Sequence, residues 1–278
     1  MCVVLWHCSE QGPYKLVLAS NRDEYLDRDT KRADWWDVPY THVLGPRDVQ
    51  AGVNGTWVGF TKQGRWAILT NYHEINGMNA PSKTSRGILV RDYLVHGMPP
   101  QQYLQSLCKT TNSALGSNGQ SPVTTATMAP ATPPLDTSPV ATASPASLPE
   151  PTDANTTTAV AALDIDDFNG FSLVVGDIVT DHVLTTTNRG DHCREVRALP
   201  ADDPAVHGLS NQDLDANWPR VQRGSLILSE IVNTWEQDHY NHYRSSESAE
   251  LALVEQLFAM LRDTSPFTQS GGPRCRED

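Results

Sequence analysis

The chain has 278 residues, a net charge of −12 and a pI near 5.1, enough length to bury a sizeable core in one large domain or two small ones. Its 33 acidic and 21 basic residues are spread along the sequence. They form no basic footprint, which excludes nucleic acid as a general partner. The five cysteines, at positions 2, 8, 108, 193 and 275, make no CxxC or other metal-ligand spacing, and their odd count suits a reducing compartment better than a disulfide framework.

Residues 1–20 lack the basic start and long apolar centre of a secretory signal, and no run approaches the roughly 18 apolar residues of a membrane span. The expectation is a cytoplasmic protein with no membrane span. In that compartment Asn54-Gly55-Thr56 and Asn155-Thr156-Thr157 read as chance glycosylation matches.

Cys2 directly follows Met1. Methionine before a small residue is usually trimmed, which leaves a thiol and a free α-amine on one residue. The thiol titrates at about 8.5 and the amine at about 7.7–8.0, so a neutral amine can take the thiol's proton. The competing reading is a small apolar residue that starts a strand. Cys2 to Leu5 and Lys15 to Ala19 read as two strands joined by a turn over Ser9-Glu10-Gln11-Gly12-Pro13. Such a hairpin returns Asn21-Arg22-Asp23-Glu24 to the border of Cys2. There a carboxylate could hold the protonated amine and a guanidinium could lower the thiol pKa. An ordinary charged turn is the alternative.

Tyr25 to Arg32 reads as a charged loop, and Trp35-Trp36 as packing residues or as the rim of a site for an apolar ligand. Gly45-Pro46-Arg47-Asp48 reads as a turn. Residues 51–72 read as a meander, with strands Trp57–Phe60 and Arg65–Thr70 and with Asn71 just beyond the second. Ile88–His96 and Gln101–Cys108 are predicted helices, separated at Pro99-Pro100. Arg86 stands at the start of the first, where its charge opposes the helix dipole. It reads as an anion or carboxylate contact, or as a solvated surface arginine.

From Thr110 to Ala162, Thr, Ser, Ala and Pro dominate and aromatics are absent, so the stretch is predicted to be a disordered insertion. It is expected to loop out of a single domain over 1–264. Phe171–Val175 and Ile178–Thr187 are predicted strands, followed by a turn at Asn188-Arg189-Gly190. Arg223–Gln237 and Glu247–Arg262 are predicted amphipathic helices covering one face of the sheets. His239 and His242 make an HxxH pair without the further ligands of a metal site, and His207 reads as structural or as a base. Residues 265–278 are expected to be a frayed tail.

Taken together, Met1-Cys2, Asn21-Arg22-Asp23-Glu24, Gly55-Thr56-Trp57, Leu69-Thr70-Asn71-Tyr72, Ser85-Arg86-Gly87, Asn169-Gly170-Phe171, Gly208-Leu209-Ser210-Asn211 and Trp218-Pro219 resemble the NRDE proteins, also called the transport and Golgi organisation protein 2 family. The resemblance implies an α+β fold, an Ntn-hydrolase-like αββα sandwich of two antiparallel sheets. It implies a cysteine hydrolase acting on a small-molecule linear amide or acyl bond. Cys2 would attack, Asp23 orient the amine, Asn71 and Asn211 polarise the carbonyl, and Arg22 contact substrate or thiolate. In relatives the site arginine falls where this chain has Ser20, so Arg22 stands as a substitute. Arg86 and Trp35 complete the candidate substrate contacts.

The same resemblance implies an alternative of another class, a non-enzymatic role in Golgi organisation and protein secretion, lipid homeostasis or haem trafficking, with Golgi or mitochondrial association. No resident cofactor or metal is expected. Haem enters only as a transported ligand, with Cys2, His7, Cys8 and His207 as conceivable axial groups. Family members usually continue into a Gly-Thr-Arg-type segment and strands that complete a sheet, neither of which this chain contains. An exposed sheet edge is expected.

Overall fold

The opening hairpin forms where the sequence places it. In a computed structural model describing residues 2–10, 12–50, 52, 54–73, 80, 83–109, 163–200, 203, 205–242 and 247–264, β1 (Val3–Cys8) and β2 (Leu16–Asn21) pair antiparallel from Val3↔Asn21 to Cys8↔Leu16. A short late strand, β10 (His207–Leu209), lies against the other side of β1 and completes a three-stranded sheet. The second sheet has seven strands in sequence order, each antiparallel to the next: β3 (Thr30–Trp35), β4 (Val43–Asp48), β5 (Val58–Thr61), β6 (Arg65–Asn71), β7 (Phe171–Asp177), β8 (His182–Thr187) and β9 (Arg197–Leu199). Four helices accompany them: α1 (Gly87–His96), α2 (Pro100–Cys108), α3 (Pro219–His242) and α4 (Glu247–Leu261).

The layers follow from the two-residue period of the strands. On β1, Val4 and Trp6 face Trp66 and Ile68 of β6, Val174 of β7 and Val183 of β8, and together they fill the space between the sheets. Leu5 faces the other way, onto Leu228, Ile231 and Val232 of α3 and Leu253 of α4. On the large sheet, Ala67, Leu69, Leu173, Val175 and Leu184 point outward onto Leu89, Tyr93 and Leu94 of α1 and Tyr103, Leu104 and Leu107 of α2. The order is helix pair, small sheet, large sheet, helix pair. Each fully buried large apolar side chain contributes about 1.5–3 kcal/mol. Trp6 and Trp66, both almost completely buried, meet edge to face with ring centroids 6.2 Å apart in the middle layer.

The helix boundaries obey local chemistry. Gly97, in the left-handed region at φ 71°, ends α1. Pro100 opens α2, and Pro219 opens α3, at positions where a missing N–H costs nothing. Arg65 closes the last turn of α1 from outside, its guanidinium donating to Leu94 O at 2.7 Å and Met98 O at 3.3 Å.

Several expectations need correction. Tyr25–Arg32 is not wholly loop, because β3 begins at Thr30. Gly45–Asp48 is not a turn but the last four residues of β4. Pro46 is tolerated because the β3–β4 register shifts between Lys31 and Asp34 and because β5 pairs only with Val43 and Leu44. Ile178–Thr187 is a tight turn followed by a strand. Asp177 Oδ1 accepts from Val179 N at 2.8 Å, and Asp181 sits at φ 53°. Asn71 is the last residue of β6 rather than the residue after it. The predicted insertion over 110–162 and the tail over 265–278 lie outside the described residues. His239 and His242 fall on α3, but their side chains are likewise outside the description. No helix of the described residues is long and apolar enough to cross a membrane.

Candidate functional site

Because Val3 pairs with Asn21, the hairpin carries Arg22-Asp23-Glu24 past the start of β1, beside Cys2. The thiol is held by backbone. Asp23 N–H donates to Cys2 Sγ at 3.4 Å, and Sγ lies 3.8 Å from Asp23 O. On the other side of β1, Ser210, the residue after β10, donates its hydroxyl to Cys2 O at 2.8 Å. Residue 2 is thus fixed by both neighbouring strands of its sheet.

Asn211 carries the connection to the large sheet. Its backbone sits at φ 54°, a left-handed position that asparagine tolerates better than most residues. That twist turns its amide toward the end of β6, where Nδ2 donates to Asn71 O at 2.8 Å. The backbone carbonyl of Asn211 accepts from His73 N at 2.7 Å. Asn211 Oδ1 is buried without a hydrogen-bond partner, as is the hydroxyl of Thr70 on β6. The amide cannot be reversed without setting two acceptor oxygens against each other, so Nδ2 is fixed on the Asn71 side. Asn71 itself is half-buried.

Arg86 precedes α1 and donates from Nη1 to Gly170 O at 2.8 Å, just before β7. It is set there by a backbone-to-backbone approach. Thr56 N donates to Gly87 O at 3.0 Å, and Gly55 lies so close to Gly87 that a Cβ on it would stand 2.9 Å from Gly87 C. The Gly55-Thr56-Trp57 and Ser85-Arg86-Gly87 motifs are therefore two sides of one contact.

Arg22 is engaged on the protein. Its guanidinium lies 4.1 Å from the Trp57 ring centroid and pairs with Asp48 at 3.6 Å and Glu24 at 3.7 Å. Arg28 joins the same group, 2.8 Å from Asp48. The network ties the segment after β2 to the end of β4. Trp35 is elsewhere: it pairs with Leu44, whereas Asp48 pairs with Thr30 at the other end of β3. It is 47% exposed, with Lys62 Nζ 4.8 Å from its ring centroid. The structure brings together Cys2, the Asp23 backbone, Asn71 and Asn211, and it leaves Trp35 apart.

Burial pushes the Cys2 thiol up, against the pull of nearby positive charge that includes Arg22 and Arg86. Sequence reasoning had the guanidinium lowering it; desolvation of the thiolate is the larger effect. His207 is structural. Its Nδ1 is 2.9 Å from Asp215 Oδ2, its ring lies 5.5 Å from that of Trp6, and it pairs with Trp6, four positions or about 13 Å along β1 from Cys2. Ser210 and Thr70 were not singled out from sequence. Each is a small hydroxyl residue directly before a motif asparagine, and that adjacency is the signal that could have found them.

The other cysteines give a test of this picture. Cys193 is exposed, whereas burial and the Asp181 charge push the Cys8 thiol up to about 11. At pH 8 only about one Cys8 in a thousand is a thiolate, the reactive species. Iodoacetamide with peptide mapping is expected to label Cys193 well before Cys8. Equal rates would contradict the packing of β1 against the middle layer.

Two antiparallel sheets flanked by helix pairs, with Cys2 just before the central strand of the small sheet, define an α+β protein. The chain belongs to the Transport and Golgi organisation 2 family, whose model matches residues 1–118 and 146–276. It is 26% identical over 269 residues to the Transport and Golgi organization protein 2 homolog of Bos taurus, covering 94% of this chain and 71% of that protein. It is 32% identical over 240 residues to the Transport and Golgi organization 2 homolog of Mus musculus, and 31% identical over 240 residues to that of Homo sapiens, covering in each case 84% of this chain and 64% of the relative. The chain thus spans 64–71% of the length of these curated relatives.

Proposed function

We propose that the protein is an N-terminal-nucleophile-like cysteine hydrolase that cleaves a linear amide or related acyl bond at Cys2 once Met1 has been removed. The observation that carries this reading is the fixing of residue 2 from both sides, by Asp23 N–H on its sulfur and Ser210 Oγ on its carbonyl. The four-layer order of helices and sheets supports it as well.

The chemistry follows from the groups at hand. The thiol rests protonated, so the α-amine of Cys2 takes its proton as sulfur attacks the carbonyl carbon. The developing oxyanion is met by the side-chain amides of Asn71 and Asn211, neutral donors suited to that charge. Nδ2 of Asn211 keeps a second hydrogen beyond the one given to Asn71 O. As the C–N bond breaks, the amine returns the proton to the leaving nitrogen, and water then hydrolyses the thioester. Asp23 orients the α-ammonium. Arg86 lies close enough to the thiol to add positive charge at the site. Arg22 acts through the segment it anchors, rather than as a free substrate contact.

Intact-mass measurement on protein from its own type of host, followed by iodoacetamide labelling from pH 5 to 9, tests this. Loss of Met1 is expected, with Cys2 labelling at least tenfold faster at pH 7 than in a form that retains Met1. A retained or acetylated terminus would sink the mechanism.

The second reading, a non-enzymatic role in Golgi organisation and secretion, is favoured by the names of the mammalian relatives. Lipid homeostasis and haem trafficking belong to the same reading, as does Golgi or mitochondrial association. For haem, the side chains considered as axial ligands do not converge. Cys2 and Cys8 stand at opposite ends of β1, and His7 lies toward α3, 3.9 Å from Glu236.

A further inference from the structure

The outermost helix, α4, has two apolar faces. Leu253 and Met260 are buried, and with Leu257 and Leu261 they pack onto the small sheet and α3. On the other side Leu251, Val254 and Phe258 are 58%, 44% and 51% exposed. Their spacing of three and four residues sets them in one stripe along the helix. Leu226 of α3 is exposed at the far end of the stripe, one turn beyond Arg223, whose guanidinium reaches Asp263 just past α4. The helix is fixed to its sheet, since Asn21 Nδ2 of β2 donates to Leu261 O at 2.7 Å. A single exposed leucine needs no explanation, but an apolar stripe on an anchored helix marks a surface that meets another.

The stripe ends in opposite charges. Glu247 opens α4 one turn before Leu251, and Arg262 lies beside Phe258, its guanidinium 5.6 Å from the ring centroid. Neither makes an ion pair among the described residues. Acid at the start and base at the end suit the dipole of α4 itself. The apolar residues between them have no such reason to face outward. A surface that covers the stripe has to bring apolar side chains to its middle, a base to its start and an acid to its end. α4 run in the opposite direction has that pattern. An antiparallel two-fold axis between Val254 and Glu255 sets Leu251 of one copy on Phe258 of the other, and Glu247 on Arg262, because the members of each pair stand equally far from that point along the helix. A parallel pairing would instead set Glu247 on Glu247 and Arg262 on Arg262.

We infer that α4 docks on α4 of a second copy of this chain in an antiparallel, two-fold symmetric dimer, with Leu251, Val254 and Phe258 covered and Glu247 of each copy opposite Arg262 of the other. The same patch serves on both copies, so the contact closes at two. A helix of 15 residues on each side falls short of the roughly 1,600 Å² of a standard interface, so the dimer is expected to be reversible, with micromolar affinity. The inference does not depend on the proposed hydrolase.

Sedimentation velocity of the full chain over about 1–200 μM, a range that brackets a contact of this size, tests the assignment. A monomer–dimer equilibrium is expected. Phe258→Glu should raise its dissociation constant at least tenfold, whereas Ala252→Glu, exposed on α4 but off the stripe, should leave it unchanged. Glu247→Arg and Arg262→Glu should each weaken self-association by at least tenfold. Mixed in equal amounts, those two variants should associate as the parent does, because each end of the helix pair then joins opposite charges. An effect on the helix dipole alone would not be repaired by mixing. All these side chains are exposed, and circular dichroism checks that each variant keeps its helix content. A monomer at every concentration overturns the inference, as does a dimer indifferent to Phe258→Glu, which would assign the stripe to another part of the chain or to a different partner. Failure of the mixed variants to associate overturns it as well.

Discussion

Asn188→Ala is expected to destabilise the fold by about 3–5 kcal/mol, more than any surface substitution could. Asn188 is 3% exposed and makes four hydrogen bonds to backbone. Its Oδ1 accepts from Phe171 N at 2.8 Å, and its Nδ2 serves Ile165 O at 3.1 Å, Phe168 O at 3.2 Å and Asn169 O at 3.3 Å. One side chain thus closes the turn at Ile165–Asp167 onto the start of β7. Alanine leaves a buried N–H and several carbonyls without partners, and water has little access there. Asn188→Asp keeps the acceptor but sets a carboxylate against three carbonyl oxygens, so it should do no better. Urea denaturation followed by circular dichroism measures the change. A loss below 1 kcal/mol for Asn188→Ala would show that water reaches this turn after all.

Gly55→Ala should cost about 2–3 kcal/mol and disturb the site as well. The added carbon would stand 2.9 Å from Gly87 C and 3.0 Å from Gly87 Cα. Backbone atoms at a helix start cannot swing aside as the tip of a flexible side chain can. Relief requires α1 to move away from the meander, which breaks the Thr56 N to Gly87 O bond and draws Arg86 away from Gly170 O. The expected signature is a lower urea midpoint together with an altered rate of Cys2 labelling. Gly52→Ala, at a left-handed glycine with open space around it, is the control: it carries backbone strain without the clash. Similar labelling in both variants would separate the Gly55–Gly87 contact from the site.

The apolar strands and the helices were legible because their signals are local. Trp66-Ala67-Ile68-Leu69 and Phe171 to Val175 are runs that can only be buried, and residues 88–95 carry a helical repeat. β3 and β4 hid behind charge and proline. Lys31, Arg32 and Asp34 are exposed on an edge strand, and Pro46 is excused by a register shift that only the folded partner creates. β9 and β10 have three residues each, too short for any period to show. At the site, hairpin logic alone put residues 21–24 next to Cys2. It did not show that Asp23 would meet the sulfur through its backbone amide, or that Arg22 would stack on Trp57, since Trp57 approaches from the other sheet. Asn211 was named from its motif, and its left-handed turn toward β6 is a tertiary fact.

The bonds that hold residue 2 come from Asp23 and Ser210 and make no use of its α-amine. A recombinant fusion carrying an affinity tag upstream of Cys2 should therefore fold, purify and pass every structural check while lacking the free amine on which the proposed chemistry depends. Activity screens belong on protein tagged at its far end or cut to expose Cys2. A negative result from an upstream-tagged preparation says nothing about the proposed chemistry.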